Sequence, residues 1–329
     1  MDRKFPVLNG VRQRVHSLQR AELNHPVCDM TEKPPGYREV VEPESPRERS
    51  GLVSPFRQRL ALWLTILEIS IEERLIYRGE FMLGAIMRFL PIVTQILLWA
   101  AIFDAIQTRG QEEIVGYTYR QVVAYYLLTM VSRAFSSMPG LASGIARDIR
   151  DGSIKKYLIQ PVDLLGFLLL YRIAHKLVYY WMAFIPFFVL FYLCQGFFDG
   201  WPSLPIMAAY VTSLILAFLL GFFVEATLGL LGFWFMEVTS LIFIFLLLNF
   251  FFSGHMFPLD MLPGFWQQIV TALPFQYLAY FPSAIFLGKV AGTALISGLL
   301  TQLAWTVLFI FVARFTFRLG VRYYSGFGG

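Results

Sequence analysis

Few charges and almost no cysteine are the first things to note in this 329-residue chain. Only 15% of residues are Asp, Glu, Lys or Arg, against 57% hydrophobic, whereas soluble domains carry about 25% charged and 45–50% apolar residues. That scarcity excludes an ordinary soluble fold. The two cysteines, Cys28 and Cys194, build no disulfide framework and have no metal-ligand spacing around them. The four histidines, His16, His25, His175 and His255, include no i, i+4 pair, which argues against a metal site. No Gly-x-x-x-x-Gly-Lys-Ser/Thr phosphate cradle occurs, so ATP is not bound by this chain. An apolar leader is missing from the first 55 residues, which predicts an N-terminus retained in the cytoplasm and a first spanning helix that directs insertion. No inverted internal repeat of the kind found in many secondary transporters is visible.

Long uncharged runs fill the remainder. Residues 1–55 are polar, rich in proline and of mixed charge, a composition that cannot offset ordering entropy and predicts a disordered cytoplasmic tail. Residues 56–80 place Leu60, Trp63, Leu64, Leu67, Ile71 and Leu75 at three- and four-residue intervals, a helical stripe too short and too interrupted to cross a bilayer. An interfacial amphipathic helix is expected there. Six spanning helices follow, at about 83–105, 119–140, 167–194, 204–230, 236–254 and 293–313, each near the roughly 20 residues that hydrocarbon requires. The fold class is an all-α polytopic membrane protein. Its transmembrane domain covers 81–320, with a short cytoplasmic tail at 321–329.

Between the fifth and sixth spans an apolar stretch is broken by Pro258, Pro263, Pro274 and Pro282. Each proline removes a backbone hydrogen bond, so two short re-entrant helices are expected rather than one span. The net charge of +5 reflects basic loops on one membrane side, not a nucleic-acid partner. With the N-terminus inside, Arg147, Arg150, Lys155, Lys156, Arg172, Lys176, Arg314, Arg318 and Arg322 face the cytoplasm, and only Arg109, Arg120 and Lys289 lie outside. That bias predicts an inner-membrane, multi-pass protein with both termini cytoplasmic.

The loop Arg147–Asp163, RDIRDGSIKKYLIQPVD, carries a turn at Asp151-Gly152. Ser153 is placed to cap a short helix in which Ile154, Tyr157 and Leu158 share a face, with Pro161 closing it. Here the chain resembles the ABC-2 type transporter permeases, over about residues 56–320. Arg147, Asp148, Asp151, Gly152, Ser153, Leu158, Pro161 and Asp163 match the family's charged stretch between its second and third spans. A second block, Ser253-Gly254, Phe257-Pro258-Leu259, Leu262-Pro263 and Leu273-Pro274-Phe275, matches the family's re-entrant helices.

The resemblance implies a coupling helix over 147–163, including Arg150, Ile154 and Tyr157, that docks on a separately encoded ATPase. It implies an outer gate at Gly254, Phe257, Pro258, Leu262, Pro263 and Pro274. ATP and Mg belong to that partner subunit, and the permease pairs with a second copy or a related chain in the lipid bilayer. The substrate class is a hydrophobic or amphiphilic molecule, exported from the cytoplasm or inner leaflet, and the chain itself is not an enzyme. The rivals are a lipid-modifying membrane enzyme and a proton-coupled secondary transporter; no converging catalytic cluster or carboxylate relay favours either. Arg133, Glu225, Glu237 and Asn249 fall in or beside apolar spans and are candidate intramembrane polar contacts, with Glu225 the best placed for a functional one.

Overall fold

The computed structural model describes residues 63–65, 67–69, 71–72, 87 and 90–324, apart from 109, 160–162, 199 and 236. All of these belong to one unit, Ser54–Gly329. The expected tail at 1–55, most of the interfacial helix at 56–80 and Pro161 lie outside the described residues. Those described within 63–72 are helical, with Trp63, Leu67 and Ile71 half-buried and Leu64, Glu68 and Glu72 exposed. The Trp63 ring lies against Gly166.

Beyond the helical residues within 63–72, ten α-helices follow: α1 Leu90–Gln107, α2 Tyr119–Ser136, α3 Leu141–Arg150, α4 Lys155–Leu158, α5 Leu164–Leu193, α6 Leu204–Leu230, α7 Thr239–Phe252, α8 Gly264–Ala272, α9 Tyr280–Phe286 and α10 Gly292–Tyr323. No strand is present among the described residues. Four helical stretches are long and apolar enough to cross a membrane: α1, α5, α10, and α6 continued by a 3-10 turn to Phe233. The other two expected spans fall short. α2 has 18 residues but carries Arg120, Arg133 and several hydroxyls. α7 is strongly apolar but has only 14 residues, about 21 Å at 1.5 Å per residue against roughly 30 Å of hydrocarbon.

Local chemistry explains the boundaries. Thr118 begins α2 by accepting the Gln121 N–H at 3.3 Å, and Asp163 begins α5 by accepting the Gly166 N–H at 2.7 Å, both ordinary N-caps. The four prolines of the broken segment sit where a missing N–H costs little. Pro263 precedes α8, Pro274 opens a 3-10 turn, Pro258 precedes another, and Pro282 lies in the first turn of α9. Two short α-helices precede the last long one.

α6 is the central post, packed on α2, α3, α9 and α10. Polar side chains tie it to its neighbours. Gln302 on α10 is fully buried, accepts from Ser213 Oγ at 2.9 Å and donates to the Ser213 and Tyr277 carbonyls at 2.9 and 3.2 Å. Such contacts glue helices that have no hydrophobic reason to associate in lipid. Gly221 and Gly229 of α6, and Gly232 of the 3-10 turn that continues it, lie where the α2–α3 chain crosses. A Cβ on Gly221 would stand 2.2 Å from the Ser136 carbonyl oxygen, and one on Gly229 2.7 Å from that of Ala142. By contrast α1 buries only Ile92 and Phe103, and α7 only Phe245.

Because the atom facing Gly221 is backbone, Gly221→Ala forces helices apart and is expected to cost about 1–3 kcal/mol. Gly144→Ala, mid-α3 with nothing within 4 Å of the added methyl, gains about 0.5–1 kcal/mol instead. Thermal unfolding of the detergent-solubilised protein checks both, and equal effects would contradict the crossing.

Candidate functional site

The region expected to couple is built differently from a single capped helix. α3 spans ten residues and buries Leu141, Ala142, Ile145 and Ile149 along one face, while Arg147 and Arg150 stay exposed. The chain then turns at Asp151-Gly152, as the dipeptide predicts, with the Ile154 N–H donating to the Asp148 carbonyl at 2.9 Å. The four-residue α4 follows, with Ile154 and not Ser153 at its N-cap position and no side-chain cap. Ser153 is exposed, so its expected capping role is corrected: the backbone carbonyls of Gly152 and Ser153 accept the Lys155 and Lys156 N–H groups at 3.2 and 3.3 Å, where a hydroxyl acceptor was anticipated. Ile154 is 1% exposed and anchored in the core beside Leu165 and Phe233. Tyr157 is half-buried, and Leu158 and Ile159 point outward at 38% and 83% exposure. The accessible face therefore carries Arg147, Arg150, Asp151, Ser153, Leu158 and Ile159.

Asp163 closes this region twice over. One carboxylate oxygen caps α5 and the other accepts from Arg314 of α10. Arg150 and Asp151 form an exposed pair at 3.4 Å. Glu237 is also exposed, joins Arg147 and Arg150 around a cleft of about 410 Å³, and lies at the α6–α7 turn. Hydrogen bonds from Thr239 hold its carboxylate below the usual range, with Arg150 a lesser cause.

At the other end of α2, the block 253–261 is held by tyrosines. The Tyr125 hydroxyl donates to the Gly254 carbonyl and that of Tyr126 to the Met256 carbonyl. Trp99 Nε1 donates to Tyr126 at 3.0 Å. Tyr117 donates to Asp260 Oδ2 at 2.7 Å, and Tyr280 to Oδ1. Burial, and then the bond to Asp260, pushes the Tyr117 phenol well up, so it remains a donor. Gly254 adopts φ +78°, and a Cβ there would meet the Tyr125 hydroxyl at 2.6 Å; no other residue fits. Pro258 is buried, Phe257 and Leu262 are half-buried, and Pro263 is exposed. The Lys289 ammonium stands 4.3 Å over the Tyr117 ring and bonds to the Gly116 carbonyl and to Gln121.

Between these two regions lies a cavity of about 630 Å³, bounded by α1, α2, α7 and the start of α3. Three of the four polar residues singled out in the sequence line it, namely Arg133, Glu225 and Asn249; Glu237 does not. His255 and Met256 bound it toward the 253–261 block, and Gly140 and Ser143 toward α3. The Asn249 Oδ1 and His255 Nδ1 atoms are buried without a hydrogen-bond partner. Glu225 accepts the Met138 N–H at 3.2 Å. Missed by sequence reasoning were Arg172 and Lys176, assigned there only to the cytoplasmic charge count, and Asp260. The available signal was two cations four residues apart inside an otherwise apolar run.

Residues 89–328 match the model of a family described as ABC-2 family transporter protein. No curated protein matches the chain at a significant level.

The double role of Asp163 separates two effects. Its pair with Arg314 is between groups 34% and 43% exposed, so it is worth about 0.2–1 kcal/mol, while the N-cap is worth about 0.5–2 kcal/mol. Asp163→Ala is expected to destabilise more than Arg314→Ala. Added salt should shrink the Arg314→Ala loss and leave most of the Asp163→Ala loss. Unfolding midpoints at low and high salt decide it; equal, fully salt-sensitive losses would remove the cap.

Proposed function

As the chain belongs to the ABC-2 family of transporter proteins, we propose that it is the permease subunit of an ATP-binding cassette exporter that moves a hydrophobic or amphiphilic substrate out of the cytoplasm or inner leaflet. It is a multi-pass membrane protein, and permeases of this family are transporter membrane subunits that pair with an ATP-binding subunit. The observation that carries the reading is the single cavity whose walls include both the start of α3 and the His255–Met256 end of the re-entrant block. A displacement of α3 by a docked ATPase changes one end of the same space that the re-entrant block closes at the other.

This geometry supports the assignments that the family resemblance implies. The exposed face from Arg147 to Ile159 meets the nucleotide-binding subunit, which holds ATP and Mg. That face and both termini lie in the cytoplasm, by the Lys and Arg bias. The block around Gly254, Phe257, Pro258, Leu262, Pro263 and Pro274 acts as the outer gate. A second copy covers α7, whose exposed Phe243, Ile244, Leu247 and Phe251 flank the cavity wall formed by Ile242, Leu246 and Asn249. Two copies meeting there enclose one route between their cavities.

Leu158→Glu and Ile159→Glu leave the core untouched and are expected to weaken ATPase association at least about tenfold, an effect of about 1.4 kcal/mol. Ile154→Ala acts on folding instead, costing about 2–5 kcal/mol. Co-purification with the ATPase and ATP hydrolysis in proteoliposomes check this; full association of Leu158→Glu/Ile159→Glu would refute docking at this face. A single Leu247→Cys in a chain lacking Cys28 and Cys194 should cross-link to itself in membranes. Its failure to do so, with cross-linking from α10 positions such as Val307→Cys, would move the partner elsewhere.

A further inference from the structure

Helix termini leave carbonyls and amides without partners inside the helix, and water does not reach them in hydrocarbon. α2 ends at Ser136 and α3 starts at Leu141, so the elbow Ser137–Gly140 exposes a run of such groups. Side chains from two other helices take them. The Lys176 ammonium, on α5, donates to the Ala134 carbonyl and, at 2.7 Å, to that of Ser137. The Arg172 guanidinium, one turn earlier, donates to the Pro139 carbonyl at 3.0 Å. From α6, Glu225 accepts the Met138 N–H at 3.2 Å. Two consecutive turns of α5 and one of α6 thus meet at one short backbone segment.

Lys176 is 9% exposed within a 30-residue apolar helix. A charge at that place is expensive and is a functional candidate by default. Its partners include carbonyls of the segment that leads into α3. Glu225 is at once a grip on the elbow and a wall of the 630 Å³ cavity. Gly221, one turn before it, lets α6 touch the Ser136 carbonyl, so the carboxylate reaches Met138 across a backbone-to-backbone approach.

We propose that Arg172, Lys176 and Glu225 are positioning residues that hold the α2–α3 elbow as a rigid joint, so that movement of α3 is delivered to the cavity wall rather than absorbed by a fraying helix end. The proposal rests on the permease reading above and adds the joint through which its stroke passes. With the elbow gripped, α3 cannot tilt without carrying the end of α2, and with it Arg133 and Ala134 of the cavity lining. Released, the same tilt bends Ser137–Gly140 and leaves the cavity unchanged.

The test needs no knowledge of the substrate. In the complete complex with its ATPase, in proteoliposomes, a Leu246→Cys reporter on the cavity wall is labelled with a small maleimide, with and without ATP plus vanadate. The parent is expected to change its labelling rate on nucleotide at least about fivefold, the lower end of ordinary coupling between sites. In Lys176→Met and Arg172→Met that change should shrink below about twofold while basal ATP hydrolysis continues. Amide exchange over residues 134–146 should accelerate in the same variants. Lys176→Arg, which keeps a donor, and Glu225→Gln, which keeps an acceptor for the Met138 N–H, should restore the response, whereas Glu225→Ala should not. A nucleotide response retained in Lys176→Met and Glu225→Ala overturns the joint. So does its loss in Lys176→Arg and Glu225→Gln to the same extent. A parent without any nucleotide response sinks the permease reading itself, a result distinct from either.

Discussion

Every helix end frees backbone carbonyls and amides that need partners, and three such ends organise the described residues. At Ser137–Gly140 the freed groups go to Arg172, Lys176 and Glu225. At 253–260 they go to the hydroxyls of Tyr125 and Tyr126, and to the Tyr280 N–H, which donates to the Ser253 carbonyl at 2.9 Å. At the start of α5 the Gly166 N–H goes to Asp163. Each closure comes from a different helix or holds a further partner, so satisfying local hydrogen bonds also sets how helices are placed relative to one another. A polar group left unpaired at such a site costs about 1–3 kcal/mol or more, which exceeds the worth of most single contacts in the bundle.

The two ends are fastened by different chemistry. Around 253–260 the fasteners are phenols, converging on neutral carbonyls and on Asp260. Around 137–163 they are charges: two cations, two carboxylates and Arg314. Phenols reach far along an apolar wall and pack their rings as they do so, as the Tyr125–Tyr126 and Tyr125–Tyr280 ring contacts show. Charges grip harder per bond. The two segments are thus held by bonds of different kinds. α6 stands between them with Gly221, Glu225 and Gly229 on one side, close enough to both α2 and α3 to make their junction a shared element.

Composition and spacing determined a good deal without any tertiary information. Long uncharged runs imposed helices in lipid, because only internally bonded backbone survives there. The four prolines imposed a broken segment before α10, and Asp151-Gly152 a turn. The block at 147–163 and the block at 253–275 pointed to the ABC-2 family, to which residues 89–328 are matched. Each of these signals is local: it concerns backbone bonding within a few residues or polarity averaged over a span.

Tertiary structure decided the rest, because the deciding contacts join residues far apart in the chain. α2 carries hydroxyls that neighbours bury along most of its length, while Arg120 at its exposed start bonds to the Gly196 carbonyl, which its own hydropathy could not reveal. Ile154 turns inward and Ile159 outward, although helical spacing treats both as apolar, since the core lies on only one side. Lys176 looked like one more cytoplasmic charge until folding brought it to Ala134 and Ser137, 42 and 39 positions away. Glu225 likewise gained its partner Met138 from 87 positions away. One-dimensional spacing registers which groups need a partner in lipid; only the packed helices choose which partner each one gets.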